Sequence, residues 1–355
     1  MEVVYERCCG LDVHKKIIVA CVIKSKKKEI RTFGTLTDEL MELVDWIKDE
    51  GCQCVAMEST GVYWKPIYNL LELSEVKAIV VNAQHIKTVP GRKTDVKDSE
   101  WIADLLKHGL LKGSYVPCRE QRETKEMVRY RRSLVEERAR EINRIQKVFE
   151  GANIKLSSVV SNINGLSSKQ IIRLLLEKTP EIEELRSLMH ANMKSSAEEI
   201  KKALTGLLAE HQKAMITMML RHIEYLDGEI ARLDEDIREK MGPVSRQVEQ
   251  LDGILGVGER SAQTIIAEIG TDMNVFPTEE HLASWAGMCP GNNESAGKKK
   301  SGKTRKGNKT LRNTLVECAK AAAKNKNSYL AAQYKRICSR RGKNRAAVAV
   351  GHSIL

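Results

Sequence analysis

The 355-residue chain is poor in aromatic residues, at 4%, and has only seven prolines. So few rings exclude a surface that binds single strands mainly by stacking bases on aromatic side chains. Its nine cysteines include no C-x-x-C pair. The adjacent Cys8 and Cys9, and Cys52 and Cys54 two apart in a strand-like run, do not have zinc-knuckle spacing. Scattered free thiols point to a reducing, intracellular setting. No apolar run is long enough to span a bilayer and the N-terminus carries no signal-peptide pattern, so a cytoplasmic protein without a membrane partner is expected.

Charge is present in excess, and it is localised. The formal net charge is +12, and residues 286–345 hold 17 Lys and Arg against Glu294 and Glu317, a local net of +15. The remainder of the chain is therefore slightly acidic. A regional patch of this kind is the electrostatic footprint of a nucleic-acid partner, although a solvated basic tail has the same composition.

The N-terminal third alternates strands and helices. "RCCGLDVHKKIIVACVIKS" reads as two strands about a polar turn, and "EIRTFGTL" as a third. A helix follows from Thr37, taken as its N-cap, to Glu50, with Leu40, Leu43, Val44 and Ile47 on one face. Then come a buried strand ("CQCVAMEST"), a helix over 61–73, a strand ("KAIVVN") and a helix over 96–111. Three strands, then helix–strand–helix–strand–helix, is the element order of an RNase H-like α/β domain.

Residues 119–150 carry dense alternating charge on a helical repeat. From Ile216 to Ile237, apolar residues recur at steps of three and four through Met219, Ile223, Leu226, Ile230 and Leu233, the heptad signature of a coiled coil. The same pattern fits a long helix packed on the 119–150 helix of its own chain. "LDGILGVGERSAQTIIAEIG" reads as a helix-hairpin-helix in which Gly256 and Gly258 permit a tight turn and backbone N–H groups can grip a phosphate. Its other reading is an ordinary helix–Gly turn–helix. The chain stops in an apolar stretch, "AAVAVGHSIL", which looks like a helix cut short.

Four acids stand out by placement. Asp12 lies on the first strand, Glu58 ends the fourth, and Asp95 and Asp98, three apart, begin a helix and point the same way. Asp104, nine residues beyond Asp95, faces the opposite side. In an RNase H-like sheet the first strand is central and neighbours the later one, so these four acids can converge. A carboxylate on a strand of Val, Ile and Cys is costly unless it has a partner, and a divalent cation is one. Two Mg²⁺ ions, or a shared site, would align an in-line phosphoryl displacement, with Mn²⁺ able to substitute. Taken singly, Asp95 and Glu58 also suit helix caps and Asp98 a first helical turn. Lys87, Arg92 and Lys93 nearby fit a phosphate backbone entering this site. Downstream, "NNESAGKKKSGKTRKGNK" reads as a flexible basic loop that presents Ser295, either as a nucleophile or as one more phosphate contact, with Lys298, Lys299, Lys300, Lys303, Arg305, Lys306, Lys309 and Arg312 on the backbone.

"GLDVHK", "MESTGVYWKPIYNLLE" and "VVNAQHIKTVPGRKTDVKDSEWIADLL" resemble the DEDD domain of a family of prokaryotic insertion-sequence transposases. "LDGILGVGERSAQTIIAEIG" and "LASWAGMCPGNNESAGKKKSGKTRKGNKTLRNTL" resemble the C-terminal transposase domain of that family. The resemblance covers both outer thirds. It implies a RuvC-like DEDD metal-binding domain over 1–118, a helical, coiled-coil linker and oligomerisation region over 119–246, and a mainly α transposase domain over 247–355 with the helix-hairpin-helix and catalytic serine loop. It implies an RNA-guided recombinase, oligomeric as a dimer or tetramer and associated with the nucleoid. A structured noncoding "bridge" RNA pairs with donor and target double-stranded DNA in that family. Asp12, Glu58, Asp95 and Asp98 match the family's four acids, and Ser295 matches the serine that attacks the DNA phosphate to form a covalent phosphoserine link. Members usually continue beyond the end of this chain. The alternatives are a RuvC-like, structure-selective nuclease that uses water, and a non-catalytic nucleic-acid-binding scaffold.

Overall fold

The computed structural model describes residues 2–25, 27–59, 61–82, 95–291, 293–295, 298–301, 304 and 306–355, with backbone alone at 95–97, 293–295 and 298–301. The chain divides into two compact units, Met1–Pro117 and Cys118–Leu355.

The first unit is a five-stranded sheet of order β3-β2-β1-β4-β5, with β1 (Arg7–Val13) at its centre. β2 (Ile17–Lys24) and β3 (Lys27–Gly34) run antiparallel as a meander, while β4 (Cys54–Glu58) and β5 (Ala78–Val81) continue from β1 in parallel. This mixed sheet fits the RNase H-like arrangement. Both faces are covered, which explains the near-continuous apolar strands. Cys9, Leu11, Val55 and Met57 pack with α1 (Thr37–Asp49) and α2 (Trp64–Leu73). Cys8, Cys54 and Ala56 pack on the other face with Ile102, Ala103 and Leu106 of α3 (Asp95–Lys107). The cap of α1 is Leu36 rather than Thr37, and the Glu39 carboxylate accepts from the Leu36 N–H at 3.0 Å.

The second unit is built on two long helices, α4 (Arg119–Gly151) and, after α5 (Leu156–Val159), α6 (Leu166–Glu177), α7 (Ile182–Leu188) and α8 (Ala197–Leu204), α9 (Glu210–Lys240). At 31 residues α9 is about 46 Å long. It runs antiparallel to α4, as the pairs Glu123–Lys240 (2.7 Å), Arg131–Asp234 (2.9 Å), Arg138–Asp227 (2.6 Å) and Glu141–His222 (3.2 Å) require. The heptad stripe of α9 thus lies against α4 of its own chain: Leu226 and Ile230 meet Leu134, and Ile216 and Ile223 join Ile145 and Phe149 over α5–α8.

Beyond Gly242–Val244 the chain forms α10 (Ser245–Asp252), α11 (Glu259–Ile269), α12 (Glu279–Trp285), a hairpin of β6 (Asn293–Ser295) and β7 (Lys298–Ser301), then α13 (Lys309–Ala322), α14 (Tyr329–Arg341) and α15 (Lys343–Ile354). Gly256, between α10 and α11, has φ +89°, and an added Cβ would stand 2.5 Å from Cys318 O and 2.6 Å from Ala322 N of α13. Glycine is therefore demanded twice there, by backbone conformation and by close approach. No helix among the described residues is long and apolar enough to cross a membrane.

Candidate active site

Side chains alternate along a strand, so Cys8, Gly10 and Asp12 share one face of β1, and Cys54, Ala56 and Glu58 the same face of β4. The parallel register ends at Leu11 opposite Met57. Asp12 and Glu58 are the next residue of each strand, just past that last pair at the C-terminal end of the β1–β4 ladder. Helix α3 lies across this face, closest at Gly10, where a Cβ would be 2.3 Å from Ser99 O and 2.4 Å from Ala103 N. The missing side chain lets the helix settle on β1 and brings its first turn, with Asp95 and Asp98, to the same end.

The Asp12 side chain is only 14% exposed, and His14 Nε2 lies 2.9 Å from its Oδ2. Burial pushes the Asp12 carboxyl above its ordinary value. His14 pulls it back, and the charges of Asp98 and Glu58 push it up again. Three of the four acids are thus electrostatically coupled. Among the described residues, however, no three His, Cys, Asp or Glu side chains form a group that could hold a metal ion. The Asp95 side chain lies outside the described residues, as do Lys87, Arg92 and Lys93. Asp98 and Glu58 are near enough to raise the Asp12 carboxyl, but the described side chains form no closed cage. The donors are all carboxylate oxygens, the ligand type that suits a hard divalent cation. Asp104 stands toward Lys28 and Cys21 instead, and its neighbour Glu100 pairs with Lys28 at 2.6 Å.

In the second unit, the basic run expected to be a loop forms a two-stranded ladder. Asn293 pairs with Ser301, Glu294 with Lys299 and Ser295 with Lys298, and a bridge between Pro290 and Thr304 closes its open end. Ser295 is the last residue of β6, at the turn, opposite a lysine. The register also places Glu294 opposite Lys299, a favourable cross-strand charge combination. Lys303 and Arg305 lie outside the described residues, as do the side chains of Ser295, Lys298, Lys299 and Lys300. Lys306 and Lys309 are exposed and Arg312 half-buried. Residues 297–304, GKKKSGKT, also match the letters of a phosphate loop, G-x-x-x-x-G-K-T. That motif works as a loop between a strand and a helix. Here Lys298–Ser301 is itself a strand, so the pattern is not a phosphate loop.

The α10–turn–α11 segment has Gly258 as the N-cap of α11, and Glu259 opens the helix. A carboxylate in that first turn opposes a phosphate there. Behind the hairpin, Glu268 of α11 is fully buried, gripped by Arg129 at 2.6 and 2.9 Å, Lys125 at 3.0 Å and Asn308 Nδ2 at 2.5 Å. Asn308 in turn caps α13, its Oδ1 accepting from Leu311 N–H at 3.1 Å. The chain leaving β7 is thereby anchored to α4 and α11. Burial would raise the Glu268 carboxyl, but Arg129, Lys125 and Asn308 outweigh it and hold the group below its ordinary value. Sequence reasoning passed over Gly10, His14, Glu268 and Asn308. Only the Asp12-x-His14 spacing along a strand carried a readable signal.

Two transposase models match the chain. DEDD_Tnp_IS110, described as a transposase, spans residues 9–154, and the transposase IS116/IS110/IS902 family spans 248–335. The transposase for insertion sequence element IS1111A of Coxiella burnetii (strain RSA 493 / Nine Mile phase I) is 24% identical over 356 residues, covering 97% of this chain and 86% of that protein. Among solved structures, T. thermophilus RuvC in complex with Holliday junction substrate matches 30% of this chain and 99% of its own, at 11% identity and a TM-score of 0.24. The two matches follow each other in the order of the chain, the first spanning the positions of the four acids and the second that of Ser295, and the chain belongs to the IS110 family of DEDD transposases.

Proposed function

We propose that this protein cuts and rejoins donor and target DNA through a covalent phosphoserine intermediate, guided by a structured RNA of its own element and acting as a homo-oligomer. The observation that supports the reading is the adjacency of β1 and β4, which carry Asp12 and Glu58, with Asp98 near enough to raise the Asp12 carboxyl, in a chain that also sets Ser295 at the end of β6 in a lysine-rich hairpin. Residues 119–246 act as the helical linker and 247–355 as the transposase domain.

Asp12, Glu58, Asp95 and Asp98 would hold Mg²⁺, one ion or two. The bound ion would polarise the scissile phosphate and stabilise its developing charge. His14 keeps Asp12 oriented. Ser295 Oγ forms the new bond to phosphorus as the bond to a deoxyribose oxygen breaks. The hydroxyl proton passes, through a general base, to the departing oxygen. Rejoining is the reverse, with a deoxyribose hydroxyl of the other strand displacing the serine. Because the phosphoserine conserves the phosphodiester energy, exchange needs no ATP. A serine hydroxyl is a weak nucleophile until activated, and the hairpin lysines neutralise charge as it forms.

In the presence of Mg²⁺ and the RNA that co-purifies, wild type is expected to yield a protein–DNA adduct on denaturing gels. Ser295→Ala should yield none while still binding RNA. An adduct that persists in Ser295→Ala overturns the nucleophile assignment. Cleaved ends without attached protein, at equal rate in both proteins, would establish hydrolysis by water instead. Sequencing of co-purified RNA should return noncoding sequence flanking the gene.

A further inference from the structure

An open cleft of about 1030 Å³ lies at the base of the β6–β7 hairpin, inside the second unit. Pro290 and Thr304, the bridge that closes the hairpin, form one edge. The walls are Arg312 of α13, Arg341 at the end of α14, and Arg345 and His352 of α15. No carboxylate lines the cleft, and none of its three guanidinium groups forms an ion pair among the described residues. Elsewhere in this unit Arg129, Arg131, Arg138, Arg173, Arg186 and Arg260 are paired with acids, and these three are not. Three unneutralised arginines around one concavity form a focused positive site. The first turn of α15 also opens into it through Asn344 and Arg345, adding the positive end of a helix. Gln333 lines the cleft too. Its Nε2 donates to Ser353 Oγ at 2.9 Å, but its Oε1 is buried without a partner. A water bridging that oxygen to a bound phosphate would satisfy it.

We propose that this cleft seats a backbone phosphate of the DNA strand cut at Ser295. The proposal rests on the function given above and adds to it a second anchoring point and a register. The ladder from Pro290 to Ser295 is five residues, so the Pro290 edge of the cleft lies at most about 17 Å from the serine. Successive base pairs rise about 3.4 Å, so that edge lies roughly five steps from the cut and the held phosphate a few steps further at most. Planar guanidinium groups match phosphate oxygens in pairs, which fixes the strand as well as attracting it.

The test measures binding of a short DNA duplex across a salt series, in the Ser295→Ala background so that no cutting intervenes. Each lost phosphate contact lowers the slope of log K against log salt by about 0.9, so Arg341→Ala with Arg345→Ala, which together empty the one phosphate seat, should lower it by about 0.9. Arg341→Lys with Arg345→Lys should retain the slope. Arg336→Ala with Arg340→Ala, equal in charge removed but outside the cleft, should change it far less. An unchanged slope in the cleft double variant, or an equal drop in the outside pair, overturns the proposal. So does a loss confined to RNA binding. A lowered slope with no adduct from wild type would keep the cleft and refute the serine chemistry, and the converse would do the opposite. Circular dichroism and thermal melts of each variant confirm that the fold is retained.

Discussion

Replacing Glu268 by Gln removes the single negative charge on which Arg129, Lys125 and Asn308 converge. The carboxylate is fully buried, whereas Arg129 is 47% exposed and Lys125 18%. Breaking a buried pair from one side costs about 3–5 kcal/mol, most of it from the charge left behind. Here Arg129 can swing toward solvent, so the lower end, about 3 kcal/mol, is expected. For a unit of this size each kcal/mol moves Tm by about 2–4 °C, so the midpoint should fall by about 6–12 °C. The pH dependence has a definite sign. The folded pKa of Glu268 lies below its ordinary value of 4.5, so the stabilisation is present above 4.5 and is lost as pH falls through the depressed folded value. Scanning calorimetry of both proteins from neutral to acid pH should show the gap between them closing below pH 4.5. A fall in Tm under about 2 °C at neutral pH, or a gap that stays constant into acid, would refute this account of the buried cluster.

Other expectations follow from the same geometry. Mg²⁺ at about 100 times its Kd should stabilise the wild-type N-terminal unit by about 2.7 kcal/mol in a thermal-shift assay, and Asp12→Asn should abolish that gain without lowering the metal-free Tm. Gly10→Ala, which touches no ligand, should cost about 1–3 kcal/mol by driving α3 off β1. It should also weaken the Mg²⁺-dependent shift, and an unaltered shift would mean the helix does not set the position of Asp98. Asn308→Ala should cost about 1 kcal/mol through the lost cap of α13 and about 1.5–3 kcal/mol more through the lost hydrogen bond to buried Glu268, measured by urea unfolding.

The strand pairing that carries Asp12 and Glu58 was legible in the chain. Asp12 and Glu58 sit on apolar strands where an unpartnered charge is costly, and strand alternation puts both on one face. The three-plus-two element order implied that those strands are neighbours, and β1 and β4 are adjacent and parallel. The hairpin was not legible. Both of its faces are polar, so the alternation that marks a half-buried strand is absent, and lysines beside glycines read as a loop. The heptad on α9 was legible as a stripe, but its partner was not. A repeat every three and four residues states that a face is apolar without saying which helix covers it.

By itself, then, the sequence determined where apolar faces, glycines and acids fall along the chain, because these follow from local periodicity and backbone sterics. It also determined membership in a transposase family, through two motif sets in order. Tertiary structure alone decided that α9 lies antiparallel on α4, that Gly10 admits α3 against β1, and that a fully buried Glu268 ties α4 and α11 to the exit of the serine hairpin. It alone gathered Arg312, Arg341 and Arg345 around one cleft. Those choices rest on contacts between residues tens to more than a hundred positions apart, whose energies depend on burial and geometry that no local pattern encodes.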